Sequence, residues 1–172
     1  GGSTPAPSPS PPVDNTAPSI TLNGDNPLTM TVGTTWSEPG GRATEGARVY
    51  ADGGDTRDLN NNIDVVGTYT IQYYASDAAE NTGYATRTIH IVDDVAPTIT
   101  LNGANPLTHE AKTSFTDPGA STRDNYGGAT LSVSGDTITQ NTPVGTYYIR
   151  YDATDTYDNQ ATQVTRTVYV VD

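Results

Sequence analysis

A chain of 172 residues with no cysteine has neither a disulfide framework nor a thiolate metal site to stabilise it. Its formal net charge of −12, with Lys112 as the single lysine beside seven arginines, excludes the clustered cations that nucleic-acid binding requires. No apolar run reaches the roughly 20 residues that cross a bilayer as a helix, so membrane insertion is not expected of this segment, and any export signal is expected outside it.

In chain order, positions 1–12 alternate proline with serine and other small residues. Proline has no amide donor and restricts the residue before it, so this stretch reads as an extended linker. Beyond it the chain repeats itself. Ala17-Pro-Ser-Ile-Thr-Leu-Asn-Gly-Asp-Asn-Pro-Leu-Thr29 returns as Ala96-Pro-Thr-Ile-Thr-Leu-Asn-Gly-Ala-Asn-Pro-Leu-Thr108. The period of about 79 residues is longer than a solenoid repeat and implies two whole domains, at 13–93 and 94–172.

Each copy then shows a turn signal, Asn23-Gly-x-Asn-Pro27 or Asn102-Gly-x-Asn-Pro106, where a positive-φ residue and a donor-free proline suit a tight reversal. The later runs alternate with period two. Tyr69, Ile71, Tyr73 and Ala75 share one face, Thr70, Gln72, Tyr74 and Ser76 the other, and Tyr147, Ile149, Tyr151 and Ala153 repeat the inward face. Ile89 with Ile91, and Val168 with Val170, mark the inward side of the closing strands, while Gly67-Thr-Tyr69 and Gly145-Thr-Tyr147 place a tyrosine at the start of the penultimate strand, where a tyrosine corner belongs. No stretch carries apolar residues at helical spacing. The chain is therefore expected to be all-β: two tandem immunoglobulin-like antiparallel β-sandwich domains. Between Gly40 and Val66 the first copy departs from the pattern, and its strands there are undefined by sequence.

The succession Ala-Pro-x-Ile-Thr-Leu-Asn-Gly, then Glu38-Pro-Gly40 or Asp117-Pro-Gly119, then Val-Gly-Thr-Tyr, Ala-x-Asp and Thr-Arg-Thr resembles the bacterial surface Ig-like domains that occur as strings in exported proteins. The resemblance implies an extracellular, secreted or cell-surface location and other domains of the same parent chain as partners. It leaves function open, because such domains accompany adhesins, toxins and polysaccharide-degrading enzymes alike.

In such a sandwich the loops after the second and sixth strands meet the incoming segment. This gathers Asp93, Asp94, Asp117, Asp124, Asp155, Asp158 and Asn159 in the second copy, and Asp14, Glu38, Asp77, Glu80 and Asn81 in the first. Converging carboxylates repel one another unless water screens them or a cation sits among them. Calcium, which takes six to eight oxygen ligands, is the expected ion and would stiffen the domain junction. The same residues also suit plain turns in which Asp and Asn bond their own backbone, and sequence leaves the two readings side by side.

Catalysis is not expected. His90 and His109, the two histidines, occur on strands and do not recur between copies, so a nucleophilic triad has no imidazole to build on. The expected function is that of a non-catalytic spacer, stalk or adhesion-supporting region, two domains end to end adding roughly 70–80 Å of reach. The alternative is a carbohydrate-binding accessory module of a polysaccharide-degrading enzyme, with outward Tyr74, Tyr148, Tyr157 and Tyr169 stacking on a glycan or matrix surface.

Overall fold

Alternating apolar and polar residues become strand in both copies. The computed structural model describes residues 12–172, so the expected linker lies outside the described residues apart from Pro12. The chain divides after Val92 into two units; Asp93, placed with the first domain in the sequence reading, opens the second.

The first unit runs β1 (Ile20–Leu22), β2 (Leu28–Thr31), β3 (Gly41–Ala43), a 3-10 turn at Thr44–Gly46, β4 (Val49–Ala51), α1 (Gly53–Asn61), β5 (Gly67–Ser76) and β6 (Thr82–Val92). β1 pairs antiparallel with β3, and a four-stranded sheet has the order β2-β6-β5-β4, with β2 parallel to β6. The second unit runs β7 (Thr98–Leu101), β8 (Leu107–Glu110), β9 (Ala120–Arg123), β10 (Ala129–Gly135), β11 (Gly145–Asp155) and β12 (Val164–Val171). Here β7 pairs with β9, and the larger sheet has the order β10-β11-β12-β8, with β8 parallel to β12.

The parallel pairs arise because the opening strand changes sheets at the Asn-Pro turn. The Asn26 side chain donates to Thr86 O and accepts from Thr88 N, both at 2.9 Å, and Asn105 does the same with Thr165 O at 3.1 Å and Thr167 N at 2.9 Å. An asparagine side chain thus stands in for a missing strand residue. The proline that follows, joined by a cis peptide in both copies, leaves no amide donor orphaned at the crossover.

The core lies between the two layers of each unit. Ile71, Tyr73, Ala75, Ile89 and Ile91 are buried in the first unit; Ile149, Tyr151, Ala153, Val168 and Val170 replace them in the second. At about 1.5–3 kcal/mol for each large apolar side chain withdrawn from water, these closing strands carry most of the stabilisation. Both tyrosine corners form. Tyr69 donates its hydroxyl to Val65 O at 3.0 Å and Tyr147 donates to Pro143 O at 2.9 Å.

The helix α1 departs from the all-strand expectation. Asp52 caps it by accepting from Gly54 N at 2.8 Å and Asp55 N at 3.2 Å, and Asp55 in turn accepts from Gln72 N of β5 at 2.8 Å. Its one buried residue is Leu59. A single apolar anchor produces no helical periodicity, so capping and tertiary docking, rather than an amphipathic pattern, hold this segment.

Candidate functional site

β9 and β11 both run toward the end of the second unit where the chain arrives. The turns that follow them bring Asp124 and Asp155 to Asp93. One carboxylate oxygen from each of the three lies within 4.8 Å of the others. Asp93 and Asp155 are each only 7% exposed, and Asp124 is half-buried.

Local chain geometry orients the three groups. Asp93 Oδ1 accepts from Val95 N at 3.3 Å and Asp124 Oδ2 from Tyr126 N at 3.3 Å. Asp155 Oδ1 accepts from Tyr157 N at 2.8 Å and Asn159 N at 2.9 Å, forming the Asx turn foreseen from sequence. Asn159 Nδ2 then bridges Asp155 Oδ2 at 2.8 Å and the Asp93 carbonyl at 3.1 Å, tying the turn to the incoming segment. Burial pushes the Asp155 carboxyl up, but the Asn159 side chain and the two amides outweigh it and hold it below the ordinary carboxylate value. Two oxygens, Asp93 Oδ2 and Asp124 Oδ1, are buried and have no hydrogen-bond donor among the described residues.

The first unit gathers Asp14, Glu45 and Asp77 in the same way. Asn81 Nδ2 bridges Asp77 Oδ2 at 2.9 Å and Asp14 O at 3.1 Å. Asp14 and Glu45 are exposed, however, so water screens them. Glu45 was missed by sequence reading, although it stands one repeat period before Asp124.

Glu38 and Asp117 do not join these clusters. Each precedes its strand, β3 or β9, instead of following it, and is held at the edge of the core by a tyrosine, Glu38 remaining exposed and Asp117 half-buried. Tyr73 donates to Glu38 Oε1 at 2.6 Å; Tyr151 donates to both Asp117 oxygens, at 2.7 and 2.6 Å. Asp94 and Asp158 are exposed, as is Glu80, and Asp158 and Glu80 take up positive φ of 67° at the turn.

The centre of this core network is an arginine that is 0% exposed in each unit, Arg87 or Arg166. Arg166 donates to Tyr151 Oη at 3.2 Å, Ala104 O at 2.5 Å, Asn102 O at 2.7 Å and Gly119 O at 2.8 Å, and lies 3.2 Å from Asp117 Oδ1. Arg87 donates to Tyr73 Oη at 3.2 Å, Asn23 O at 2.5 Å and Asp25 O. A guanidinium can be buried because these acceptors satisfy its fork.

The Tyr73 phenol is pushed up to about 12, first by burial and then by its bond to Glu38, against a smaller opposing pull from Arg87. The folded value lies above the unfolded value of about 10, so the native state holds this proton more tightly. The associated stability is complete below pH 10 and is lost as pH rises toward 12. Phenolate absorbance should therefore show Tyr73 ionising together with alkaline unfolding of the first unit, and Tyr73→Phe should remove that step; ionisation of every tyrosine near pH 10 would refute the assignment.

Residues 20–91 and 99–170 both match the family described as bacterial surface protein, Ig-like domain. The chain belongs to this family. No curated protein matches it. Among solved structures, the fibronectin(III)-like modules of Clostridium thermocellum CbhA are similar at 14% identity and TM-score 0.37, over 88% of this chain and 93% of that one. Protocadherin Gamma B2 extracellular cadherin domains 1-5 are similar at 17% identity and TM-score 0.42, over 92% of this chain and 40% of that one. Human mucin-like protocadherin EC1-2 is similar at 12% identity and TM-score 0.37, over 88% and 98%. This chain spans less than half of the Gamma B2 fragment.

The surface of this tandem Ig-like chain carries the tyrosines singled out by sequence in three different settings. Tyr74 sits between Tyr50 and Tyr84 in one register row across β4, β5 and β6, the three being 39%, 45% and 64% exposed. Tyr50 and Tyr74 stack at 5.6 Å, and the Arg48 guanidinium lies 5.1 Å over the Tyr50 ring. Tyr148 and Tyr169 are exposed but lie opposite Thr167 and Thr146, so they form no row. Tyr157 lies in the turn after β11, 5.7 Å from Tyr126. The two histidines are engaged locally: His90 Nδ1 lies 3.1 Å from Thr68 Oγ1, and the His109 ring meets Phe115 edge-on at 5.0 Å. No helix among the described residues is long and apolar enough to cross a membrane.

Proposed function

We propose that this chain is a non-catalytic extracellular module, a tandem spacer or adhesion-supporting region of a larger secreted or surface protein. The observation that carries this reading is what recurs between the copies. The arginine-to-tyrosine bond with the tyrosine's bond to a carboxylate, the tyrosine corner and the Asn-Pro crossover are each built twice, and all of them serve the fold. Surface features such as the tyrosine row are built once. Duplication of the scaffold without duplication of a surface site suits a part whose work is to occupy length. The test places the chain between a cell-surface anchor and a reporter tip and compares it with a flexible linker of equal residue number. Greater antibody access to the tip with the folded chain is the expected result; equal access would refute a spacing role.

A second reading rests on the Tyr50–Tyr74–Tyr84 row. Aromatic rings on adjacent strands, about 4.8 Å apart, present apolar faces and hydroxyls that suit stacking on the pyranose rings of a polysaccharide. Sedimentation with insoluble cellulose and chitin tests it. Retention that falls at least tenfold in a Tyr74→Ala/Tyr84→Ala variant would favour glycan binding over simple spacing, and no retention of the natural chain would dismiss it.

A further inference from the structure

We propose that Asp93, Asp124 and Asp155 form a calcium site in the second unit, which the equivalent Asp14, Glu45 and Asp77 of the first unit do not match. The proposal stands apart from the display role, since a spacer without calcium and a calcium-binding chain without a spacing role give different experimental results.

Proximity of acidic groups is not the whole of the observation. Asp93 is more than nine-tenths buried and its Oδ2 has no donor among the described residues; the Oδ1 of half-buried Asp124 likewise has none among them. Buried carboxylate oxygens without donors are costly, and these belong to a group whose three members lie within 4.8 Å of one another. The ion pairs Lys112–Asp172 and Arg166–Asp117 do not involve any of the three.

A hard dication resolves each of these features together. The donors are all oxygens, with no histidine or cysteine to favour zinc. Calcium tolerates an irregular shell completed by water and carbonyls, whereas magnesium demands a tight octahedron. The backbone bonds to Asp93 Oδ1, Asp124 Oδ2 and Asp155 Oδ1, together with the Asn159 bridge, hold the carboxylates in place before any ion arrives. In the first unit two of the three corresponding groups, Asp14 and Glu45, are exposed and Asp77 is half-buried, so water already reaches the cluster and a cation gains less.

The experiment is a calorimetric melt of the full chain in EGTA and in calcium, with Trp36 fluorescence reporting the first unit alone. With a dissociation constant near 10⁻⁴ M, about 1 mM calcium should raise the second unit's Tm by about 5–10 °C and leave the Trp36 transition unmoved. Asp124→Asn should abolish the shift and, by removing an unpartnered carboxylate, melt in EGTA no lower than the natural chain. Glu45→Gln should keep the shift. Terbium provides a readout that needs no acidic variant: Tyr126 and Tyr157, whose amides bond Asp124 and Asp155, should sensitise its emission, excess calcium should quench it, and Tyr126→Phe/Tyr157→Phe should reduce it. An unchanged Tm with calcium, a shift that survives in both Asp93→Asn and Asp124→Asn, or terbium emission indifferent to the tyrosine changes would overturn the site.

Discussion

Arg166→Met should lower the Tm of the second unit by about 15–30 °C while leaving the Trp36 transition of the first unit in place. The side chain is 0% exposed and serves five acceptors at once: the carbonyls of Ala104, Asn102 and Gly119, the Tyr151 hydroxyl and the Asp117 carboxylate. Methionine has comparable reach but no donor, so it fills the space without satisfying any of them. Breaking a buried charge network by removing one member costs about 3–5 kcal/mol, chiefly because the remaining groups keep their desolvation without their partner. A domain of this size gains only a small net stability from folding, so that loss is most of it. Adding Asp117→Asn should recover part of the loss by removing the stranded charge, and calorimetry of the single and double variants measures how much. A drop of under 5 °C for Arg166→Met would mean that the network contributes little.

Gly83→Ala should be the most damaging single-methyl change in the first unit. A Cβ built there would lie 1.9 Å from Pro18 O and 3.0 Å from Pro18 C, so the obstruction is backbone against backbone and no rotamer relieves it. The segment before β1 would have to lift away from β6, carrying with it the Asp14 carbonyl that Asn81 holds. Overpacking of this kind costs about 1–3 kcal/mol or more, which corresponds to a fall of about 5–20 °C in the Trp36-reported Tm. Gly128→Ala is the control: nothing lies within 4 Å of its Cβ position, and it should change the second unit by under about 0.5 kcal/mol. Equal effects from the two substitutions would contradict the close approach at Gly83.

Much of this was legible in advance because it is local. Alternation alone sorted Ile71, Tyr73 and Ala75 to the inside and Tyr74 to the outside of β5. The same parity carried a signal that was passed over. Arg87 is in phase with Ile89 and Ile91, and Arg166 with Val168 and Val170, so period two already points both arginines inward. A charged residue in phase with a core stripe is easily read as an exception, when the physical requirement is only that acceptors wait for it. Helix α1 offered no comparable signal, since Leu59 is its single buried residue and its cap depends on Asp52 with Asp55 docked to β5.

The acidic residues divide along the same line. That carboxylates follow β9 and β11 could be read from strand direction. Which of them meet could not, because Asp117 and Asp124 are seven positions apart in one stretch of sequence yet β9 lies between them. One is held by Tyr151 and Arg166 at the edge of the core; the other is carried by the strand to Asp93 and Asp155.

The sequence by itself determined a duplicated chain, two sandwiches, the inward faces of the penultimate and closing strands and the resemblance to a surface family, because repeats and period-two patterning are written residue by residue. Only the tertiary structure decided which acceptors meet each buried arginine, which carboxylates gather and which tyrosines align in a row. Those depend on register and on the direction of strands far apart in sequence, and a one-residue slip in pairing would rearrange every one of them.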